Sequence, residues 1–268
     1  MNELPIGVFD SGIGGLTVLR ALARELPSEE FLYLGDTARL PYGTKSRETV
    51  ERYALQAGGE LHRRGVKCLV VACNTASAAA LPALEVHFAP VPVIGVIEPG
   101  AAAAAAATRS GGIAVLATEG TVRSGAYRGA LLRRLPHADV HEVPASLLVA
   151  LAEEGWTDDD VAALTLTRYL AALPDASARP IDTLVLGCTH FPPFVPLLSR
   201  LAPDLMLVDS AQTTAHAVRA CLVGRERQGP PGPTRFLATD DLQRFARVGA
   251  RFLGAPLPTS QLERVDLR

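Results

Sequence analysis

Short runs of apolar, often β-branched residues alternate along the chain with longer segments in which apolar side chains recur at the helical period. This alternation predicts parallel strands joined by crossover helices. We therefore expect an α/β fold with mainly parallel sheets. The predicted strands are Ile6–Phe9, Glu30–Leu34, Cys68–Ala72, Val93–Val96, Ile113–Leu116, Asp139–Glu142, Thr183–Leu186, Met206–Val208 and Arg235–Ala238.

Two early segments of the chain resemble two later ones. Residues 69–75, LVVACNT, align with residues 184–190, LVLGCTH, and each is a buried strand that ends on a cysteine. Residues 6–12, IGVFDSG, align in the same way with residues 113–119, IAVLATE. We interpret the chain as two related halves. Convergence of two unrelated parallel-sheet units is the alternative, because few residues are identical.

The repeat predicts two pseudo-symmetric, doubly wound domains that face each other. We expect residues 1–97 and 211–268 to form the first domain and residues 98–210 the second. In open parallel sheets the ligand site lies beyond the carboxyl ends of the strands, so we expect an active site in the cleft between the domains. Polar residues and two cysteines fall at these strand ends: Asp10, Ser11, Asp36, Thr37, Cys73, Asn74, Thr118, Cys188, Thr189 and His190.

Charge and composition exclude several classes of protein. The 268 residues include 26 basic and 28 acidic side chains, a net charge of −2, which argues against a dedicated nucleic-acid binder. The first ten residues lack the basic and apolar regions of a secretory signal, and the most apolar stretch, 91–107, is interrupted by prolines and Glu98. We expect a cytoplasmic protein without membrane contact, whose four cysteines stay reduced.

The glycine-rich turn at residues 10–15, DSGIGG, is not a dinucleotide fingerprint, because Thr17 stands where the third glycine would be. Its glycines and the N–H groups at a helix start favour the approach of an anion such as a carboxylate, and a plain tight turn is the alternative. His137 and His141 are four residues apart but run into a strand, so we expect no metal site.

Two cysteines at equivalent strand ends indicate proton transfer. One thiolate can remove a weakly acidic proton beside a carboxylate while a thiol on the opposite side returns one, which inverts the carbon centre. Cys73 and Cys188 are the candidates. A pyridoxal cofactor would need a lysine, and the two lysines, Lys45 and Lys67, are poorly placed. We therefore expect no cofactor.

Four motifs occur in one order along the chain. They are Asp10–Val18 (DSGIGGLTV), Gly35–Arg39 with Pro41–Gly43 (GDTAR and PYG), Cys73–Ser77 (CNTAS) and Gly187–His190 (GCTH). Together they resemble the motifs of the glutamate racemases over residues 6–210. The resemblance implies a cofactor-independent enzyme that interconverts L- and D-glutamate and supplies D-glutamate for peptidoglycan. We expect glutamate as the small-molecule partner and a homodimeric enzyme.

The resemblance also implies roles for individual residues. It makes Cys73 and Cys188 the two acid/base groups, and Asp10, Glu153 and His190 their catalytic assistants. Contact with the substrate is implied for the residues within or beside these motifs: Asp10, Ser11, Tyr42, Gly43, Asn74, Thr75, Thr189 and His190.

Glu153 is assigned from residues 151–155, LAEEG, which resemble the family's segment, whereas residues 144–148 depart from its Cys-Pro-rich approach. The residues named above at the strand ends include no lysine or arginine, so we expect N–H groups and hydroxyls, including that of Thr118, to hold both substrate carboxylates. An aspartate or broader acidic amino-acid racemase is the alternative enzyme. A two-lobed protein that binds a carboxylate without chemistry is the alternative outside enzymes.

Overall fold

The computed structural model describes residues 3–174 and 179–267, and the remaining residues of the two predicted domains, 1–2, 175–178 and 268, lie outside it. Ten strands occur in the described ranges: β1 Ile6–Asp10, β2 Phe31–Gly35, β3 Cys68–Val71, β4 Val93–Gly95, β5 Gly112–Ala117, β6 Asp139–Pro144, β7 Ile181–Gly187, β8 Met206–Asp209, β9 Thr234–Ala238 and β10 Leu262–Arg264. All nine predicted strands form, with ends shifted by one or two residues. The short strand β10 was not predicted.

Helices connect the strands, as the alternating pattern predicts. They are α1 Leu16–Glu25, α2 Arg47–Arg63, α3 Asn74–Phe88, α4 Ile97–Ala107, α5 Glu119–Ser124, α6 Ala126–Arg134, α7 Leu147–Glu154, α8 Asp160–Leu170, α9 Val195–Leu201, α10 Ser210–Cys221 and α11 Leu242–Leu253. None of the helices within the described ranges has the length and apolar character needed to cross a bilayer.

The strands form two sheets in which every described pair is parallel. The first sheet has the order β10-β9-β2-β1-β3-β4 and the second the order β6-β5-β7-β8. The predicted α/β fold with two parallel sheets is confirmed. The segment β2-β1-β3-β4 has the same strand order as the whole second sheet, so β1 corresponds to β5 and β3 to β7. The two cysteine-bearing strands are therefore equivalent in topology.

Helices cover both faces of the first sheet, and because successive side chains of a strand point to opposite faces, neighbouring residues belong to different cores. In β1, Val8 belongs to a core shared with α1, whereas the adjacent Phe9 belongs to a core shared with α2 and α3. The core on the α1 side also includes Leu184 and Leu186 of β7. A continuous apolar layer therefore joins the two sheets beneath their carboxyl ends.

Two helices pack on the half opposite to the strand that precedes them. Helix α4 follows β4 of the first sheet but packs against α6 and β7, and α10 follows β8 of the second sheet but packs against α1. The exchange is symmetrical, since each helix leaves its own sheet at the equivalent edge strand. The two halves are thus linked by two crossing connections.

Candidate functional site

A cavity of about 320 Å³ lies between the carboxyl ends of the two sheets. Eleven of the twelve residues predicted for the site line it: Ser11, Tyr42, Gly43, Cys73, Asn74, Thr75, Thr118, Glu153, Cys188, Thr189 and His190. The twelfth, Asp10, is fully buried and does not line the cavity. A larger groove of about 1340 Å³ runs beside α2, but it contains neither strand-end cysteine.

Cys73 stands between β3 and α3 and caps that helix. Its Sγ atom accepts a hydrogen bond from the N–H of Ala76 at 3.4 Å and lies 3.5 Å from the Oγ atom of Ser11. Burial, reinforced by the nearby Asp10 carboxyl, raises the pKa of the Cys73 thiol to about 12, although Ser11 and the Ala76 N–H act in the opposite direction. Cys73 is therefore a protonated thiol at neutral pH.

Cys188 follows β7, the strand equivalent to β3, and has a different neighbour. Its Sγ atom lies 3.9 Å from Nδ1 of His190, whose Nε2 lies 3.2 Å from Oε1 of Glu153. Burial alone would lower the pKa of His190, but Cys188, Glu153 and Asp10 outweigh it and raise the pKa to about 10. The imidazole is therefore held as a cation between the Sγ atom of Cys188 and the Glu153 carboxylate.

Glu153 lies at the end of α7 and is held from outside the cavity. Its Oε2 atom accepts a hydrogen bond from Nη2 of Arg244 at 2.7 Å, and its carbonyl oxygen accepts one from Nη1 of Arg251 at 2.8 Å. Burial would raise the pKa of the carboxyl, but His190 and the Arg244 guanidinium lower it below its usual value. Glu153 is thus a carboxylate with one partner on each oxygen.

The turn after β1 hydrogen-bonds to the carboxyl group of Asp10, the last residue of that strand, and does not form an empty anion site. Oδ2 of Asp10 accepts a hydrogen bond from the N–H of Gly12 at 2.9 Å, and Oδ1 lies 3.5 Å from Oγ1 of Thr189. Burial raises the pKa of this carboxyl, while His190 and the N–H groups of Gly12 and Gly15 lower it. The expectation that the N–H groups of this turn are free for a ligand is therefore wrong for Gly12, whose N–H Asp10 already takes.

The glycines of the same turn make room for side chains of the site. A Cβ atom on Gly14 would lie 2.4 Å from Nδ1 of His190 and 2.5 Å from Oγ1 of Thr189. A Cβ atom on Gly15 would lie 2.5 Å from Cβ of Asp10. The sequence indicated that these glycines admit a ligand, but at positions 14 and 15 they admit residues of the protein itself.

Small polar groups line the side of the cavity near Cys73. The hydroxyls of Thr75, Thr118 and Thr121 lie 3.0 to 3.2 Å from one another. Oδ1 of Asn74 accepts a hydrogen bond from the buried Tyr127 hydroxyl at 2.8 Å, whereas its buried Nδ2 has no partner among the described residues. Asn74 thus lines the cavity and has a buried donor without a partner among the described residues.

Tyr42 contributes its ring, because its hydroxyl is already used. The hydroxyl donates a hydrogen bond of 2.5 Å to Oδ2 of Asp36, which also accepts one from Nε of Arg39 at 2.7 Å. Burial and the Asp36 carboxylate raise the pKa of the phenol well above its ordinary value. A substrate would therefore meet the ring of Tyr42 and the adjacent Gly43, where an added Cβ atom would lie 2.9 Å from Cβ of Thr118.

The histidine pair that could have held a metal is not assembled as one. His141 lies in β6 with Nε2 2.9 Å from Oδ1 of Asp139, and His137 lies in the turn before that strand. In residues 3–174 and 179–267, no three His, Cys, Asp or Glu side chains are grouped as metal ligands.

Comparison with known proteins connects this geometry to a family. The family model described as Asp/Glu/Hydantoin racemase matches residues 6–218. The chain belongs to the Asp/Glu/hydantoin racemase family. A glutamate racemase of Geobacter metallireducens is 51% identical over 94% of this chain and 93% of its own length, and one of Syntrophus aciditrophicus is 48% identical over 98% and 97%.

A solved structure extends the match to three dimensions. Glutamate racemase from Francisella tularensis in complex with D-glutamate superposes with a TM-score of 0.92 at 34% identity, covering 100% of this chain and 99% of that one. The resemblance to glutamate racemases that the four motifs indicate is therefore confirmed for this member of the racemase family.

Three residues that contact the site residues of this racemase, without lining the cavity, were not predicted from the sequence. Tyr127 anchors Asn74, Thr121 completes the hydroxyl cluster, and Arg244 holds Glu153. They belong to α6, α5 and α11, outside the strand-end motifs. Only the spatial packing of these helices places them at the site, so no local signal in the sequence identifies them.

Proposed function

We propose that the chain is a cofactor-independent glutamate racemase in which Cys73 and Cys188 exchange protons with the α-carbon of the substrate. The observation that supports this most strongly is that both thiols line one cavity, each at the end of an equivalent strand. A planar carbanion can be protonated on either face, so two groups approaching from opposite halves suit inversion.

In one direction of the reaction, Cys188 acts as the base and Cys73 as the acid. The thiolate of Cys188 takes the α-hydrogen as a proton, and the electron pair of the broken C–H bond is delocalised into the substrate's α-carboxylate. The thiol of Cys73 then gives its proton to the opposite face of the α-carbon, which forms the new C–H bond. The enzyme ends with a Cys188 thiol and a Cys73 thiolate, the state from which the other enantiomer reacts.

The proton arrangement of the free site supports this starting state. Cys73 is a thiol because burial raises its pKa, and His190 is an imidazolium that can hydrogen-bond to a thiolate at Cys188. Glu153 keeps the imidazolium charged. Asp10 does not line the cavity and contacts Thr189 and the turn that carries Ser11. We propose that it assists catalysis through these contacts without touching the substrate.

We propose that hydroxyls, amides and backbone N–H groups hold the two substrate carboxylates. Asn74, which has a buried donor without a partner among the described residues, lines the cavity together with the hydroxyl-bearing Thr75 and Thr118. Ser11, Thr189 and the loop of Tyr42 and Gly43 also line the cavity. Fixing both ends keeps the α-carbon on the line between the thiols, which is where orientation contributes most to the rate.

Purified protein should racemise L-glutamate without any added cofactor. The conversion of L-glutamate to D-glutamate can be followed directly by circular dichroism or by chiral chromatography. In D₂O the product enantiomer should carry deuterium at the α-carbon, because its new proton comes from a solvent-exchanged thiol. Binding of glutamate without turnover or deuterium incorporation would instead support the two-lobed binding protein.

We further propose a cytoplasmic homodimer that supplies D-glutamate for peptidoglycan, with domains of residues 1–97 plus 211–268 and of residues 98–210. The domain division is supported by the exchanged packing of α4 and α10. Expression in a bacterial strain that requires D-glutamate should restore growth without the supplement, and sedimentation should give twice the mass of the 28.3 kDa chain. No growth despite activity in vitro would contradict the assigned role in the cell.

A further inference from the structure

Helix α11 forms a wall behind the histidine and glutamate of the site. Nη2 of Arg244 lies 2.7 Å from Oε2 of Glu153, and Nη1 of Arg251 donates to the Glu153 carbonyl at 2.8 Å. The ring of Phe252 packs edge-on against His190, with centroids 5.1 Å apart and an interplanar angle of 73°. One helix thus contacts both Glu153 and His190, although it contributes no residue to the lining of the cavity.

The carboxylate of Glu153 is fixed in one orientation by a partner on each oxygen. Arg244 donates a hydrogen bond to Oε2, and His190 lies beside Oε1, so rotation of the carboxylate would weaken both contacts. The far nitrogen of the imidazole then faces Sγ of Cys188 at 3.9 Å. Four side chains from three parts of the fold therefore form a continuous series that ends at the reacting thiol.

This contact differs from an ordinary surface ion pair. Arg244 is 41% exposed, but the side chain of Glu153 is 13% exposed and that of His190 is 9% exposed. Exposed pairs contribute little because water competes for both partners. Here the carboxylate is largely removed from water, so a charged partner lost from one oxygen is not readily replaced.

We propose that Arg244 is a positioning residue, which fixes Glu153 against His190 so that the imidazole is aligned with Cys188 during proton transfer. The proposal rests on the proposed racemase function. Arg244 acts through Glu153, because it has no place in the cavity lining and touches no substrate. It therefore governs the rate of the step at Cys188 and not the binding of glutamate.

Replacing the arginine should slow turnover with little effect on binding. We expect Arg244→Met to lower kcat by about 10- to 100-fold, the range for a lost charged hydrogen bond that orients a reacting group, while KM changes little. Arg244→Lys should recover part of kcat, because it keeps one charged donor. The matched control is Arg247→Met, an exposed arginine one turn further along α11, which should behave as the wild type.

A double-mutant cycle separates action through Glu153 from a general effect of the helix. In a Glu153→Gln background, Arg244→Met should cause no further loss of kcat, since the carboxylate it orients is already gone. Losses that multiply in the double variant would overturn the proposal, because Arg244 would then act by another route.

Kinetic isotope effects distinguish a slower proton transfer at Cys188 from a general loss of protein stability, which would not change them. If only the step at Cys188 is slowed, Arg244→Met should raise the α-deuterium isotope effect on kcat for one enantiomer and reduce it for the other. The enantiomer with the raised effect is the one whose proton Cys188 removes. Equal changes for both enantiomers would contradict a role confined to one side of the site.

An NMR measurement that needs no substrate turnover tests the role of Arg244 independently of the proposed racemase activity. The ¹⁵N chemical shifts of the His190 ring report its hydrogen bond to Glu153. They should change in Arg244→Met and stay unchanged in Arg247→Met. A wild-type protein inactive on glutamate would refute the proposed function alone, whereas unchanged His190 shifts in Arg244→Met would refute the positioning role alone.

Discussion

Sγ of Cys188 lies 3.9 Å from Nδ1 of His190, a residue only two positions later in the chain. Cys73, at the equivalent strand end, instead has the hydroxyl of Ser11 at 3.5 Å and the buried carboxyl of Asp10 nearby. The fold is therefore repeated while the chemical surroundings of the two thiols differ. A cation accompanies one cysteine and neutral or acidic groups accompany the other.

Each cysteine should be required for inversion. We expect Cys73→Ser and Cys188→Ser each to lower racemisation by at least about 10²-fold, because a hydroxyl is a far weaker proton acceptor than a thiolate. The matched control is Cys221→Ser, an exposed cysteine outside the cavity, which should retain full activity. Circular dichroism would follow both activity and folding. Appreciable racemisation by a folded Cys73 or Cys188 variant would refute the two-thiol mechanism.

Stability should depend on pH through His190. Its pKa is raised from 6.5 to about 10 on folding, so its protonated form stabilises the native state fully below pH 6.5, and this stabilisation is lost as the pH rises towards 10. The free energy of unfolding of the wild type should therefore fall faster between pH 6.5 and about 10 than that of His190→Gln. Urea denaturation of both proteins measures the difference, and parallel curves would show that the imidazole is not held as a cation.

The glycine at position 14 should be needed for the site more than for the turn. In Gly14→Ala the new methyl would collide with His190 and Thr189, so we expect a loss of about 1–3 kcal/mol in stability and a lower kcat. Gly59→Ala is the control, because no atom lies within 4 Å of its added Cβ inside α2. It should stabilise the protein by about 0.5–1 kcal/mol without altering activity. Normal kcat in Gly14→Ala would mean that His190 tolerates displacement.

Aspartate should be a poor substrate. It is one methylene shorter than glutamate, so it cannot reach both carboxylate positions of a fixed frame, and we expect a cost of about 1–3 kcal/mol, or roughly 10- to 200-fold in kcat/KM. Parallel kinetics with L-glutamate and L-aspartate measure the ratio. An equal or better kcat/KM for aspartate would favour the aspartate racemase alternative and leave the two-cysteine chemistry intact.

The strands and the residues at their ends could be predicted because the information is local. A buried strand such as β3 is visible as an apolar run, and parallel topology then places the residues that follow it, including Cys73, at the same edge as Cys188. Strand β10 was missed because only three residues pair, and two of them, Glu263 and Arg264, are charged and exposed.

The supporting contacts could not be predicted because they depend on how distant helices pack. Arg244 reads as one of several polar positions on an amphipathic helix, and nothing near it in the chain indicates Glu153. Gly14 was predicted to matter, but for a ligand and not for His190, since only the folded structure shows which group occupies the space beside it.

Arg244 is encoded after both cysteines and after every residue that lines the cavity. During translation Cys73, Cys188, His190 and Glu153 therefore leave the ribosome before α11, the helix that contacts Glu153 and His190. A growing chain therefore contains every residue of the cavity before α11 exists, and under the proposed role of Arg244 we expect its full rate of proton transfer only after that helix has docked.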